Sequence, residues 1–146
     1  MGEPSISEIV PGLFIGNLWA LSNVDFLRQN HIRSILSVND CNHIKWAQPC
    51  FTELFPVERH LRIFCHDSSN QDLLIHMRRV CDFIDESLSH GRVLVHCVLG
   101  ISRSATFVIA YLMRQQHSPL VAILADVRQK RPRVKPSANF LAQLEV

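Results

Sequence analysis

Apolar and polar positions alternate along this chain in two periods, one near two residues and one near three and a half. IVPGLFIGN, residues 9–17, places two apolar runs around a Pro-Gly pair, which predicts strand, turn and strand. Residues 20–30 read as a helix, and SILSV over 34–38 as a buried strand. Residues 39–58 carry Pro49 and Pro56 without a period, so irregular backbone is expected there. LRIFC over 61–65 alternates and runs into a polar loop, HDSSNQD. Ser69, three residues before Asp72, suits a capped start for the next helix. In that helix Leu73, Met77, Val80, Cys81, Ile84 and Leu88 form one apolar stripe. RVLVHC over 92–97 is the strongest strand signal, and SATFVIAYLM over 104–113 is apolar on every face, as a helix buried mid-fold would be. A further helix covers 119–130, with Pro119 in its first turn, and a last one begins near Pro136. The apolar pattern of that last helix still runs at Val146, so the sequence is expected to stop within an element. Helices alternating with apolar strands predict one α/β domain over residues 1–146. Its core would be a central, largely parallel, twisted sheet with helices on both faces.

Composition narrows the picture only slightly. The chain is 47% hydrophobic and 19% charged, with a formal charge of +2. No apolar run approaches the about 20 residues needed to cross a bilayer, so no membrane segment is expected. The first residues lack the basic and apolar regions of an export signal, and the acylation pattern at Gly2 fails because position 6 is Ile. Five cysteines, at 41, 50, 65, 81 and 97, form an odd set without repeated spacing, which suggests reduced thiols and a cytoplasmic or nuclear address. Cys41, His43, Cys50, His60, Cys65 and His66 crowd one stretch, but their spacing matches no usual metal pairing, and no metal is expected. The basic run RQKRPRVK, 128–135, reads first as a solvated face and second as a docking patch for an acidic partner or substrate.

The chemistry concentrates in VLVHCVLGISRSA, residues 93–105. A strand, a short loop and a helix make an anion site, because the first helical turn leaves backbone N–H groups unpaired and the dipole adds partial positive charge. If residues 98–103 curl, the amides of Val98, Leu99, Gly100, Ile101, Ser102 and Arg103 converge on one point, with Gly100 permitting the tight curvature. Arg103 adds two parallel donors suited to two phosphate oxygens. Cys97 lies at the floor, where the field that attracts phosphate also favours a thiolate. The junction reads as a phosphate cradle with a nucleophile beneath it.

HCVLGISRSA resembles the signature of cysteine-dependent protein phosphatases, His-Cys, five residues, then Arg. With Gly100, Ser102 and Ser104 it is most similar to the dual-specificity phosphatases, of the small, atypical type. VPGLFIGN, CDFIDESL, VIAYLM and FLAQL are similar to further landmarks of that family, so the resemblance spans roughly residues 8–145. It implies a phosphatase-type fold, with the phosphate loop between a central strand and a buried helix. It also implies roles. Cys97 attacks phosphorus and becomes a cysteinyl-phosphate, while Arg103 and the loop amides hold the equatorial oxygens. Ser104 hydrogen-bonds the thiolate and improves it as a leaving group, and His96 steadies the loop. No metal or cofactor is needed. The implied partner is a phosphorylated protein, with phosphotyrosine and phosphoserine or phosphothreonine as targets. No nucleic acid or membrane partner is expected, and the protein would be a monomer or weak dimer.

A leaving oxygen needs a proton, and Asp67, Asp72, Asp82 and Asp85 are the carboxylates at hand. Asp72 reads as a helix-start residue, and Asp82 and Asp85 as solvated helix surface. Asp67 follows a buried strand directly, where a loop can carry it over the cradle's mouth, and the resembled family places its acid in the same loop. Asp67 is therefore the expected general acid. Cys65, two residues earlier, is a candidate redox partner for Cys97, or simply a buried strand residue. Two departures stand out: Ser137 replaces the family's usual Asn, putting the support of the acid loop in question, and bulky Leu99 would narrow or tilt the pocket. The alternatives are a phosphatase for phosphoinositides or RNA 5′-phosphates, and a phospho-binding pseudophosphatase.

Overall fold

The computed structural model describes residues 2–39, 44–66 and 72–145. In chain order the elements are β1 (Ile6–Val10), β2 (Leu13–Gly16), α1 (Leu18–Ser22), α2 (Val24–Gln29), β3 (Ile32–Asn39), α3 (Pro49–Thr52), β4 (His60–Phe64), α4 (Met77–Leu88), β5 (Arg92–His96), α5 (Arg103–Gln116), α6 (Leu120–Lys130) and α7 (Ala138–Leu144). Short 3₁₀ turns cover Ile44–Ala47, Val57–Arg59 and Leu74–His76. The strands form one sheet in the order β1-β2-β5-β3-β4. The pairs β2–β5, β5–β3 and β3–β4 are parallel, and β1 joins β2 antiparallel at one edge.

Strand periodicity sorts the sheet's side chains into two cores. Val93 and Val95 of β5 join Leu13, Ile15, Leu36 and Val38 in the cluster covered by α4, α5, α6 and α7. Leu94 turns the other way and joins Phe14 and Ile35 in a second cluster with Leu21, Leu27, Trp46, Phe51 and Phe55. Helices therefore cover both faces, as the alternating pattern predicts. α5 is buried on nearly every side, and burying each of its large apolar residues contributes about 1.5–3 kcal/mol.

Several local expectations are corrected. The helix read over 20–30 is two, because Asn23 ends α1 and then starts α2: its Oδ1 accepts the Phe26 N–H at 3.0 Å. Asn17 begins α1 in the same way, accepting from Ala20 at 3.0 Å. The stretch expected to be irregular contains α3, with Pro49 at its first turn, and buries Trp46, Phe51 and Phe55. α4 begins at Met77 rather than near Leu73. Asp72 Oδ1 accepts the Leu74 N–H at 2.9 Å and opens the 3₁₀ turn before it. The capping residue proposed at Ser69 lies outside the described residues. Pro119 is the N-cap of α6, and α7 starts behind Ser137, whose Oγ accepts from Phe140 at 3.3 Å. α7 ends at Leu144, short of the run its apolar pattern suggested.

Candidate active site

β5 lies between two parallel neighbours, so its C-terminal end is fixed at the middle of the sheet, where open α/β sheets place their ligands. That end carries His96 and then Cys97. The chain turns through residues 98–102 and enters α5 at Arg103. Cys97 Sγ accepts the Gly100 N–H at 3.3 Å and lies 3.1 Å from Ser104 Oγ, itself fully buried in the first turn of α5. Toward a thiolate the Ser104 hydroxyl can only donate.

The loop's carbonyls are engaged from behind. Val98 O accepts from Leu18 N–H at 2.9 Å and Ile101 O from Lys135 N–H at 2.9 Å. Gly100 O accepts from Arg131 Nε at 2.8 Å and Leu99 O from Arg131 Nη2 at 3.4 Å. Ser102 O accepts from Thr106 Oγ1 at 2.7 Å. In a planar trans peptide the N–H points opposite to the C=O, so tying each carbonyl outward turns the next amide inward. The Gly100 amide on Cys97 is the visible case. Gly100 has φ +70°, and a Cβ there would stand 2.6 Å from Gly16 O and 2.7 Å from Arg131 Nη2. Only glycine closes this turn against β2.

Arg103 is 91% buried, and its Nη1 donates to the Cys65 carbonyl at 3.0 Å, fixing the guanidinium to the end of β4. A cleft of about 460 Å³ opens above Cys97, walled by Leu99, Ile101 and Arg103 and by residues 135–138. Leu99 stands at this wall 55% exposed. Ser137, the departure noted in the sequence, presents its backbone N–H to Ser102 Oγ at 3.1 Å, so this position backs the loop through its main chain.

Behind Cys97 runs a buried polar chain. His96 Nδ1 is 3.4 Å from the Cys97 carbonyl, His96 Nε2 is 2.6 Å from Ser37 Oγ, and Ser37 Oγ is 2.8 Å from His60 Nε2. A carbonyl can only accept, so a neutral His96 carries its proton on Nδ1, Ser37 donates to His96, and His60 donates to Ser37. Burial, with Arg62 adding to it, pulls His60 down to about 4, which keeps it neutral near neutral pH.

The structure thus gathers Cys97, Val98, Leu99, Gly100, Ile101, Ser102, Arg103, Ser104 and His96 at one point, as the sequence pattern implied. Asp67 lies outside the described residues. Asp72 serves the 3₁₀ turn before α4. Asp85, read as plain solvated surface, accepts the Tyr111 hydroxyl at 2.6 Å. Ser37, His60 and Arg131 were not singled out from the sequence as site residues. The basic run read as a solvated face hides Arg131, which is 92% buried. A signal existed: Ile123, Val127 and Arg131 follow one another at i+4, so Arg131 continues the buried face of α6.

The family described as dual specificity phosphatase, catalytic domain, matches residues 13–146. The chain is 38% identical over 140 residues to human dual specificity protein phosphatase 26, covering 94% of this chain and 64% of that protein. It is 35% identical over 146 residues to dual specificity protein phosphatase MPK-4 of Drosophila melanogaster, covering 99% of this chain and 36% of that protein. The chain thus spans about a third to two thirds of the length of these relatives. The crystal structure of human tyrosine phosphatase-like serine/threonine/tyrosine-interacting protein superposes with a TM-score of 0.85 at 33% identity, covering 95% of this chain and 92% of that one.

Proposed function

The chain belongs to the dual specificity phosphatase catalytic-domain family, and from that premise we propose that it hydrolyses phosphotyrosine and phosphoserine or phosphothreonine in proteins through a cysteinyl-phosphate intermediate. The observation that carries this reading is Cys97 Sγ seated beneath a loop whose carbonyls are all held outward, with the Ser104 hydroxyl 3.1 Å away.

In the first step the Cys97 thiolate attacks phosphorus. The P–O bond to the side-chain oxygen breaks, and that oxygen takes its proton from Asp67. The loop amides and the Arg103 guanidinium meet the three equatorial oxygens, whose charge is held best in the transition state. In the second step Asp67, now a carboxylate, takes a proton from water as the water oxygen bonds to phosphorus. The P–S bond breaks, Cys97 leaves as thiolate, and Ser104 donates a hydrogen bond to it. Inorganic phosphate departs and the enzyme is restored. His96, held by Ser37 and His60, fixes the Cys97 carbonyl during both steps.

The apolar wall formed by Leu99 and Ile101 supports a protein substrate over a polyanionic lipid or RNA end. A cytoplasmic or nuclear site of action is consistent with Cys50, Cys81 and Cys97 being free thiols. Among the described residues no helix is long and apolar enough to cross a membrane. A panel of phosphotyrosine, phosphothreonine and phosphoserine peptides, with a phosphoinositide and an RNA 5′-triphosphate as controls, tests the proposal. Phosphopeptides should be hydrolysed fastest, and Cys97→Ser should retain fold and phosphate binding while losing turnover. Faster hydrolysis of either control, or activity above a few per cent in Cys97→Ser, overturns it.

A further inference from the structure

Arg131 differs from every other basic residue in its run. Arg128, Lys130, Arg133 and Lys135 are exposed, whereas Arg131 is 8% exposed. Its guanidinium donates to four oxygens: Gly100 O at 2.8 Å, Leu99 O at 3.4 Å, Ser5 Oγ at 3.0 Å and Ser7 Oγ at 2.9 Å. None of these is a carboxylate. A buried cation with only neutral acceptors is costly unless an anion balances it. Burial indeed pulls the guanidinium down from its usual value, Arg133 adds to this, and the nearby Cys97 sulfur works the other way. The anion that suits Arg131 is therefore whatever negative charge the cradle holds, thiolate or phosphate.

Two further details agree. Gly100 lacks the Cβ that would collide with Nη2, so the absence of a side chain there makes room for Arg131 as well as for the turn. The fork also spans two parts of the chain, since Ser7 lies in β1 and Ser5 just before it.

We infer that Arg131 is a positioning residue for the phosphate cradle. By holding the Leu99 and Gly100 carbonyls from behind, it turns the amides of Gly100 and Ile101 toward the bound anion and places a fixed positive charge behind them. The Ser5 and Ser7 hydroxyls set its orientation, so the N-terminal edge of the sheet helps to shape the site. This inference rests on the phosphatase reading above.

The test compares Arg131→Lys, Arg131→Gln and the double variant Ser5→Ala/Ser7→Ala with the unaltered protein. Affinity for inorganic phosphate is read by protection of Cys97 from iodoacetamide, which needs no turnover. kcat and KM are measured on an activated aryl phosphate and on a phosphopeptide, and thermal melting reports the fold. Arg131→Gln should weaken phosphate binding at least tenfold and lower kcat at least thirtyfold. The loss should be equal for both substrates, because the cradle is altered and the acid is not. Arg131→Lys, which keeps the charge and loses the fork, should fall between. The double serine variant, with Arg131 and the loop intact, should weaken phosphate binding about threefold. Should Arg131→Gln fail to fold, the other two variants decide. A lower melting temperature with unchanged phosphate affinity and unchanged kcat makes Arg131 merely structural and overturns the inference, leaving the phosphatase reading in place. If the unaltered protein neither binds phosphate nor turns over, both readings fall together.

Discussion

Substituting His60 should flatten the acid side of the stability profile. The ring is buried, packs edge-on against Trp46 and Phe51 at centroid distances of 5.0 and 5.2 Å, and meets Ser37 Oγ at 2.8 Å. Burial and then Arg62 lower its pKa from 6.5 to about 4. The sign follows from proton counting. Between pH 6.5 and 4 the unfolded chain binds a proton at this position and the folded protein does not, so stability falls as the solution is acidified through that window. Below about pH 4 both states are protonated and the effect levels off. A separation of about 2.5 pKa units corresponds to about 3 kcal/mol in full, and about 2 kcal/mol should already be lost at pH 5 relative to pH 7.5. Urea unfolding followed by tryptophan fluorescence over that range measures the difference. Carboxylates titrate in both proteins, so the quantity of interest is the gap between the unaltered chain and His60→Gln, whose amide can still hydrogen-bond Ser37. The gap should shrink by about 2 kcal/mol from pH 7.5 to pH 5. Parallel curves would refute the reasoning, because they would mean that His60 titrates alike in both states.

Three further outcomes are expected. Gly100→Ala should destabilise by at least about 1–2 kcal/mol through its positive φ, and should lower kcat at least a hundredfold because the new Cβ meets Gly16 O at 2.6 Å; activity within threefold of the unaltered protein would contradict this turn. Asp67→Asn should slow phosphopeptide hydrolysis far more than hydrolysis of an activated aryl ester, and should remove the alkaline limb of the pH–rate profile. Asp72→Asn should do neither, and the reverse pattern would move the acid. Mild peroxide followed by mass spectrometry should modify Cys97 before Cys50, although Cys97 is 2% exposed and Cys50 is exposed, because the Gly100 amide at 3.3 Å and the Ser104 hydroxyl at 3.1 Å are aimed at the Cys97 sulfur.

The sheet and its central helix were legible because their apolar runs leave few other arrangements. β5 and the start of α5 were read to within a residue, α5 runs three residues past its predicted end, and the place of Cys97 between them followed from the junction alone. Where side chains and backbone compete, the pattern misleads. Asn23 takes over the Phe26 N–H and cuts one predicted helix into two, and Asn17 starts the first of them ahead of its predicted bound, something a hydrophobic period does not register. Trp46, Phe51 and Phe55 fill a core from a stretch with no period at all, since short turns bury residues without repeating. Arg131 was misread because its charge outweighed its position: the i+4 series from Ile123 pointed inward, and the surrounding basic residues pointed to solvent. The Ser37–His60–His96 chain joins three strands far apart in sequence, and no local reading connects them.

The outward-facing carbonyls of residues 98–102 have a consequence for how this protein fails. Their partners come from α1, from the end of α6, from the segment leading into α7 and from α5 itself. No single element can peel away and leave the loop shaped as it is, and the loop cannot loosen without releasing several elements at once. Local opening of the kind that softens many binding loops is thereby tied to the cooperative unfolding of the domain. Inactivation and loss of tertiary structure should share one midpoint in urea, which makes catalytic rate a direct gauge of the fraction of molecules that are folded.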